Sequence, residues 1–380
     1  MAYNFEKITT KRQIDLFHEI PFRLYKSYKP WIPPFRFEVE NVFDPEENEF
    51  FQKGECERYL VIDGGKAVAR FAVMNTPERD KVYDPPMGGI GFIEMENKQE
   101  LADAIIEFAQ KWHRKRGYQA MRGPINFGEN TVFWGLLVEN FREPPVYGMF
   151  YHPPYYKELL EATGAEKWDD HYSFKRNFHD PLPERMVRVT ERLEDRGDVL
   201  LRPVDMDNMY RDAEYIREIY NEAWSNQEIG EREQEFTPLT RKTVQNMVEE
   251  MKPVVLREGV LLAFVEDDPA SFLVSIPDLN EVSERTGGRL RWWDYPRLLM
   301  LKKRSRRLRT LVFGTKPAYR KMGLEAMSFV RGIEWTRNAN KNLHHLEGGW
   351  VSEKNWLMRR GLESLGCHHH KTHRTYRWTF

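Results

Sequence analysis

The sequence predicts an α/β chain built from two units, residues 1–180 and 181–380, and three observations point to it. The chain has 380 residues, more than one ordinary hydrophobic core accommodates. Strand-like hairpin runs and amphipathic helical runs alternate in both halves. A group of residues near the end of the first half also returns near the end of the chain. The composition agrees: 41% hydrophobic and 31% charged residues describe a folded protein, not a disordered one.

Residues 1–50 are rich in aromatics and prolines. Tyr28-Lys-Pro-Trp-Ile-Pro-Pro-Phe35 cannot sit inside a helix, because proline removes a donor and clashes with the preceding turn. Residues 1–50 read as an extended arm packed on the first unit. Tyr59 to Val73 is a hairpin, with two apolar runs joined by Asp63-Gly64-Gly65. Gly89 to Met95 is a strand. Leu101, Ile105, Phe108, Ala109 and Trp112 follow helical spacing, and Gly117 ends that helix. In the second half Val199 to Pro203 is a strand. Ile216, Ile219, Tyr220 and Ala223 mark one helix, and Val244, Met247, Val248 and Met251 a second. Val260–Val265 and Ser271–Ile276 form a hairpin across Asp267-Asp-Pro269. Arg309 to Gly314 is a central strand, and Leu324, Met327, Val330 and Ile333 mark the helix that follows. A strand from Leu343 to Val351, a helix carrying Met358, Leu362 and Leu365, and a strand from Thr372 to Thr379 complete the chain.

The repeat is specific in form. Leu160, Glu161, Gly164, His171 and Phe178 recur 202 positions later as Leu362, Glu363, Gly366, His373 and Phe380. Ser173, Phe174 and Lys175 become Thr375, Tyr376 and Arg377. The shared pattern is helix, glycine turn and closing strand, the mark of a duplicated unit.

Composition narrows the function classes. The net charge is −1, so no global field is aimed at nucleic acid or a membrane. No apolar run reaches the roughly 20 residues of a membrane span. The start of the chain lacks a secretory leader pattern. The two cysteines, Cys56 and Cys367, lie far apart and match no metal-ligand spacing, which suits a reduced, cytoplasmic protein. Monomer and homodimer both remain open.

The segment that carries chemistry is Leu311-Val-Phe-Gly-Thr-Lys-Pro-Ala-Tyr-Arg-Lys-Met-Gly-Leu-Glu-Ala326. A strand runs into a turn and the turn into a helix. The free N–H groups and positive dipole end of a helix N-terminus bind phosphate. Gly323 allows the backbone close to a pyrophosphate, and Arg320 adds charge. Downstream come Leu346-Glu-Gly-Gly-Trp-Val-Ser-Glu-Lys-Asn355, then Leu362-Glu-Ser-Leu-Gly366, then Lys371-Thr-His-Arg-Thr-Tyr-Arg377.

With these segments the chain resembles the GNAT superfamily of N-acyltransferases: an Arg-x-x-Gly-x turn after the fourth strand, an Asn opening the fourth helix, and a Leu-Gly before the closing strands. More narrowly it resembles a bacterial group of tandem GNAT-like proteins. That likeness rests on Trp31 to Pro34, Arg122 to Asn126, His152 to Tyr156 and the closing Lys371 to Arg377, and covers nearly the whole chain. The resemblance implies the acyl-CoA N-acyltransferase fold twice over, each unit a mixed, mostly antiparallel twisted sheet flanked by helices. It implies acetyl-CoA or another acyl-CoA as co-substrate, no metal, and a small-molecule primary amine as acceptor. The pyrophosphate would sit on Arg320, Lys321, Met322, Gly323, Leu324, Glu325 and Ala326. The pantetheine arm would follow Val312, Phe313 and Gly314, with Asn355 holding one of its amides. A Gly323→Asp replacement is expected to abolish CoA binding with the fold intact.

Amine acylation needs a base and an oxyanion donor. Glu347 is the first candidate base. Strand alternation puts His345 on its face and His344 on the other. Two departures from the GNAT pattern stand out. The turn usually ends in a small residue where this chain has Glu325. The tyrosine that serves many of these enzymes as general acid is replaced by Leu362. The first half has no Arg-x-x-Gly turn, so it is expected to wall the acceptor site, through Asn126, Tyr151, His152, Tyr155 and Tyr156. Two other classes remain: a non-catalytic acyl-CoA-binding protein and an aminoacyl-tRNA-dependent transferase. The basic run Lys302 to Arg309 reads as a solvated helix end, not a nucleic-acid site. Adjacent histidines in Cys367 to His373 point to opposite strand faces, which does not suit zinc.

Overall fold

A computed structural model describes residues 3–225 and 238–380. The chain divides into two compact units. The first comprises 1–172, 283–290 and 371–380, and the second 173–282 and 291–370. The last ten residues therefore belong to the first unit.

In the first unit, strands Asn4–Lys7, Glu55–Asp63, Lys66–Asn75 and Met87–Met95 pair antiparallel in that order. The turn of the long hairpin holds Gly64 and Gly65 at φ +55° and +80°, the left-handed backbone a tight two-residue turn needs. Met87–Met95 then pairs parallel with Ala120–Gly123, and the crossover is the helix Gln99–Arg114. Its Leu101, Ala102, Ile105, Ile106 and Ala109 are buried against Val61, Phe71, Ile90 and Met121.

The second unit repeats the plan. Val199–Pro203, Val260–Val265, Asp268–Pro277 and Arg307–Thr315 pair antiparallel. Arg307–Thr315 pairs parallel with His345–Ser352 across the helix Leu324–Ala339. Helix Glu184–Arg196 packs on it, with Leu193 buried against Leu324 and Met327.

The 202-residue echo holds at the level of elements. Strand Glu166–Asn177 corresponds residue for residue to His368–Thr379. Gly164 and Gly366, each just before its strand, have φ of +82° and +78°.

The N-terminal fifty residues are not an extended arm. They form the strand Asn4–Lys7 and the helices Lys11–Leu24 and Arg36–Phe43. Thr10 and Gln13 cap the first helix reciprocally, a signal present in the sequence as Thr-x-x-Gln. The Pro-rich stretch between the helices is irregular. The second hairpin turns at Glu266 and Asp267, one residue earlier than expected; Asp268 and Pro269 already pair with Val265 and Phe264.

Candidate active site

The site begins where a strand pair comes apart. Arg307, Leu308, Arg309 and Thr310 pair with His345, Leu346, Glu347 and Gly348, and the pairing stops there. On the opposite edge, Val274 pairs with Val312 and Ser275 with Thr310, so Leu311 is an extra, bulged residue. A bulge bends and twists a strand locally. From Leu311 onward, among the described residues, no strand pairs the edge that faced His345–Ser352. Its backbone N–H and C=O groups are open to an extended ligand. Val312, Phe313 and Gly314 lie on this stretch. A Cβ on Gly314 would approach the Phe272 ring to 3.1 Å and Trp224 Nε1 to 3.5 Å. That indole N–H is buried and has no partner among the described residues.

The turn follows directly. Lys316 is held by Glu218 at 2.6 Å and Asp268 at 2.9 Å. Arg320 donates from Nη2 to the Ala223 carbonyl at 2.8 Å. Lys321 and Gly323 adopt φ of +71° and +97°, which turns the backbone into the N-terminus of the 16-residue helix Leu324–Ala339. The first amide with a backbone acceptor is Met327, bonded to the Gly323 carbonyl. Among the described residues, the N–H groups of Gly323, Leu324, Glu325 and Ala326 have no backbone acceptor and no side-chain cap, as at any uncapped helix start. Such a cradle fits a pyrophosphate. Glu325 is half-buried in the first helical turn. Gly323 cannot be replaced silently. A Cβ there would lie 2.5 Å from Val189 Cγ1, and its φ is +97°. Gly323→Asp would therefore strain the fold as well as the cradle, contrary to the expectation from sequence.

Glu347 is 1% exposed. Its Oε1 accepts from Ser173 Oγ at 2.8 Å, and its Oε2 lies 3.6 Å from His370 Nε2. The parallel register sets it beside Arg309, which is also 1% exposed. Arg309 donates from Nη2 to the Gly349 carbonyl at 2.7 Å, while its Nε and Nη1 have no acceptor among the described residues. Burial pulls the Arg309 pKa down to about 10, against the opposing pull of Glu347 and Asp278. His345 is partly exposed two residues from Glu347 on the same strand. Asn355 caps the helix Trp356–Ser364, its Oδ1 accepting from Met358 N at 3.1 Å. Leu362 lies in that helix and offers no acid.

The first unit differs at the equivalent place. Met87–Met95 and Ala120–Gly123 stop pairing at Gly89 and Arg122, but the gap is filled by the chain itself. Ile125 N donates to the Ile90 carbonyl at 2.9 Å. A Cβ on Gly91 would sit 1.9 Å from the Ile125 carbonyl oxygen. The helix after this strand starts at Gln99, with no glycine turn before it.

The five residues expected to meet an acceptor all belong to this unit, and four have interior partners. Tyr151 Oη donates to the Phe141 carbonyl and Tyr155 Oη to that of Met95. Tyr156 Oη accepts from Met95 N and donates to Glu94 Oε2 at 3.0 Å. His152 Nδ1 accepts from Leu137 N at 3.2 Å, and burial lowers its pKa to about 3. Asn126 is buried, with Oδ1 lacking a partner among the described residues. The basic run Lys302 to Arg309 is not a solvated helix end throughout: the helix ends at Arg304, and Arg309 is buried in the strand Arg307–Thr315. Ser173, His370 and Trp224 carried no signal of a site in the sequence. A charged residue inside the apolar strand run was the available signal for Arg309. Among the described residues, no group of three or more His, Cys, Asp or Glu side chains is placed to hold a metal.

Comparison with solved structures gives the fold. A tandem GNAT protein from the clavulanic acid biosynthesis pathway aligns over 100% of this chain and 98% of its own, with TM-score 0.58 at 9% identity. The chain has the tandem GNAT fold. A GCN5-related N-acetyltransferase from Sphaerobacter thermophilus aligns over 99% of this chain and 95% of its own, with TM-score 0.51 at 12% identity. No family model matches the sequence. Two curated proteins are similar over nearly the full length. Bacterial ceramide synthase of Caulobacter vibrioides (strain NA1000 / CB15N) is 27% identical over 378 residues, 97% of this chain and 95% of that protein. Protein YghO of Escherichia coli (strain K12) is 25% identical over 376 residues, 96% and 93% of the respective chains.

Proposed function

We propose that the second unit binds an acyl-CoA and transfers its acyl group to the primary amine of a long-chain amino alcohol. The observation that carries the reading is the end of pairing at Thr310 and Gly348, directly before a turn whose four N–H groups have no backbone acceptor among the described residues. An extended thioester arm fits the open edge from Val312 to Gly314, and its pyrophosphate fits the turn. The acceptor class rests on the similarity to a bacterial ceramide synthase over 97% of the chain. A ceramide is the amide of a fatty acid with a long-chain amino alcohol.

The reaction needs few groups. The neutral amine attacks the thioester carbonyl carbon, the C–N bond forms and the C–S bond breaks. Glu347 takes the proton that the amine loses and returns it to the leaving thiolate. This single carrier suits a site whose helix Trp356–Ser364 supplies no acid at Leu362. Arg309 is a buried cation beside Glu347 in register. The Trp224 indole N–H, buried and without a partner among the described residues, supports a donor role toward a ligand near Gly314. Asn355 acts as a helix cap in this reading and is not needed for pantetheine.

Glu325 and Leu362 favour a second reading, an acyl-CoA-binding protein without turnover. Free-thiol release from acyl-CoA, measured with primary amines of increasing chain length, separates the two. The proposal expects amine-dependent release that improves with chain length. Thermal stabilisation by acyl-CoA without any thiol release would leave only the binding protein.

A further inference from the structure

The second unit displays a surface that the acyl-transfer site does not use. Trp292 is 79% exposed, Leu299 56%, Tyr295 54% and Trp293 50%, with Met300 beside them. They lie on the turn Trp292–Asp294 and the ten-residue helix Tyr295–Arg304. The inner face of this segment is small: Asp294, Leu298, Leu301 and Ser305 are buried. Helical spacing puts Leu298 and Leu301 on one side and leaves Tyr295, Leu299 and Met300 facing outward. Monomeric proteins rarely leave such a contiguous apolar group in water without a use for it.

Charge accompanies the apolar group. Between Arg291 and Arg307 the chain has seven Lys or Arg and one acid, Asp294, and Asp294 is paired with Arg297. The whole chain carries a net charge of −1, so this positive density is local. The two kinds of residue are ordered along the segment, with large apolar side chains from Trp292 to Met300 and Lys302, Lys303, Arg304 and Arg306 after them. The segment is also firmly moored. Asn342 Nδ2 donates to the Lys303 carbonyl at 2.9 Å, and Asn340 Nδ2 to that of Ser305 at 2.9 Å. Glu281 Oε1 accepts from the N–H groups of Arg306 and Arg307 at 2.8 and 2.9 Å.

We propose that this face docks the protein on the surface of an anionic lipid bilayer. Indole and phenol rings settle at headgroup depth, and Leu and Met side chains reach the acyl boundary. The adjoining Lys and Arg side chains meet lipid phosphates, which attract each basic group near the surface. The helix is about 15 Å long, so it lies in the interface. Among the described residues, no helix is long and apolar enough to cross a membrane. A layered partner, apolar within and anionic at its face, matches the order of the segment. Nucleic acid would satisfy the basic residues and leave five large apolar side chains in water. A second copy would bring the same positive charge against itself.

The position has a consequence for access. The segment runs directly into the nine-residue strand Arg307–Thr315, and the phosphate-type turn leaves the other end. Those ends are about 30 Å apart. A bilayer at one end leaves the other free for a water-borne ligand. The docking stands on the exposed surface alone and holds whether or not the acyl-transfer reading does.

Flotation of the full-length protein with vesicles tests it, using phosphatidylcholine alone against equimolar phosphatidylcholine and phosphatidylglycerol. Wild type is expected to float with the anionic vesicles, and less so at high salt. Trp292→Ser with Trp293→Ser, and separately Lys303→Ser with Arg304→Ser, should each weaken that binding about tenfold or more. Both pairs are exposed, so melting temperature should not change. Flotation unaltered by either pair, or no flotation of wild type, would overturn the proposal. So would sedimentation showing a dimer that the tryptophan pair dissociates without vesicles, which would assign the face to a second copy. Salt-sensitive binding to RNA without flotation would assign it to nucleic acid.

Discussion

Replacing Glu347 by glutamine keeps the side-chain shape and removes its charge, which separates two roles that the structure superimposes. The first role is electrostatic. Arg309 is buried, with Nε and Nη1 lacking acceptors among the described residues, and Glu347 is its neighbour in register. At a charge separation of about 6 Å and an effective dielectric near 20, the coupling is about 3 kcal/mol. A loss of that size lowers the melting temperature of a unit this large by roughly 6–12 °C. The second role is chemical. Removing a positioned base costs about 10²–10⁴ in rate. The assay is free-thiol release at saturating acyl-CoA and amine, run well below the variant's melting temperature, with acyl-CoA thermal shift measured in parallel. Glu347→Gln is expected to keep the ligand-induced shift and lose kcat in that range. Glu347→Asp, which keeps the charge but withdraws it by one methylene, is expected to recover melting temperature and only part of kcat. A Glu347→Gln variant with the lowered melting temperature but kcat within about threefold of wild type would refute the base assignment. Glu347 would then be only the counterion of Arg309.

Three further outcomes follow from the same geometry. Glu325→Ala removes a carboxylate from the first helical turn and should tighten CoA binding roughly two- to fivefold by calorimetry, the size of a charge–dipole term; weaker binding would place Glu325 among the ligand's contacts. Gly323→Ala forces a Cβ to within 2.5 Å of Val189 Cγ1 at φ +97°, and should cost about 1–3 kcal/mol of stability together with CoA affinity, with Val189→Ala restoring part of the stability only. In the first unit, burial holds His113 down to about 4 and His152 to about 3. Both stay neutral in the fold while the unfolded chain takes up protons near 6.5, so their stabilisation is full above that pH and is lost as pH falls toward 4 and 3. Glu94, raised by burial to about 6, works in the opposite direction between 6 and 4.5. Denaturant midpoints should therefore fall below pH 6.5, and His152→Asn, which keeps an acceptor for Leu137 N–H, should flatten that slope.

The features legible in the sequence were those with a local code. The duplicated helix, glycine and strand carry identical residues at identical spacing, and the structure repeats the strand bounds at the same offset. The turn from Arg320 to Ala326 was legible because a positive φ at Gly323 and a helix start have a compositional signature. The parallel register that sets Arg309 beside Glu347 was not legible, since it depends on a crossover through Leu324–Ala339. The tyrosines at 151, 155 and 156 resemble a binding surface in sequence. In the fold their hydroxyls find carbonyls and Glu94 inside the first unit. The plug at Ile125 is a tertiary event between segments 30 residues apart in order of magnitude. The exposed group at Trp292 to Met300 escaped a periodicity reading because that reading assumes large apolar residues face inward.

Product analysis distinguishes acyl transfer from CoA to a long-chain amine from binding alone. Purified protein is incubated with a fatty acyl-CoA and a long-chain amino alcohol, and the amide is quantified by mass spectrometry alongside free thiol. The account predicts one amide formed for each thiol released, with both abolished together in Glu347→Gln. Acyl-CoA that binds and stabilises the protein while neither amide nor thiol accumulates would contradict it.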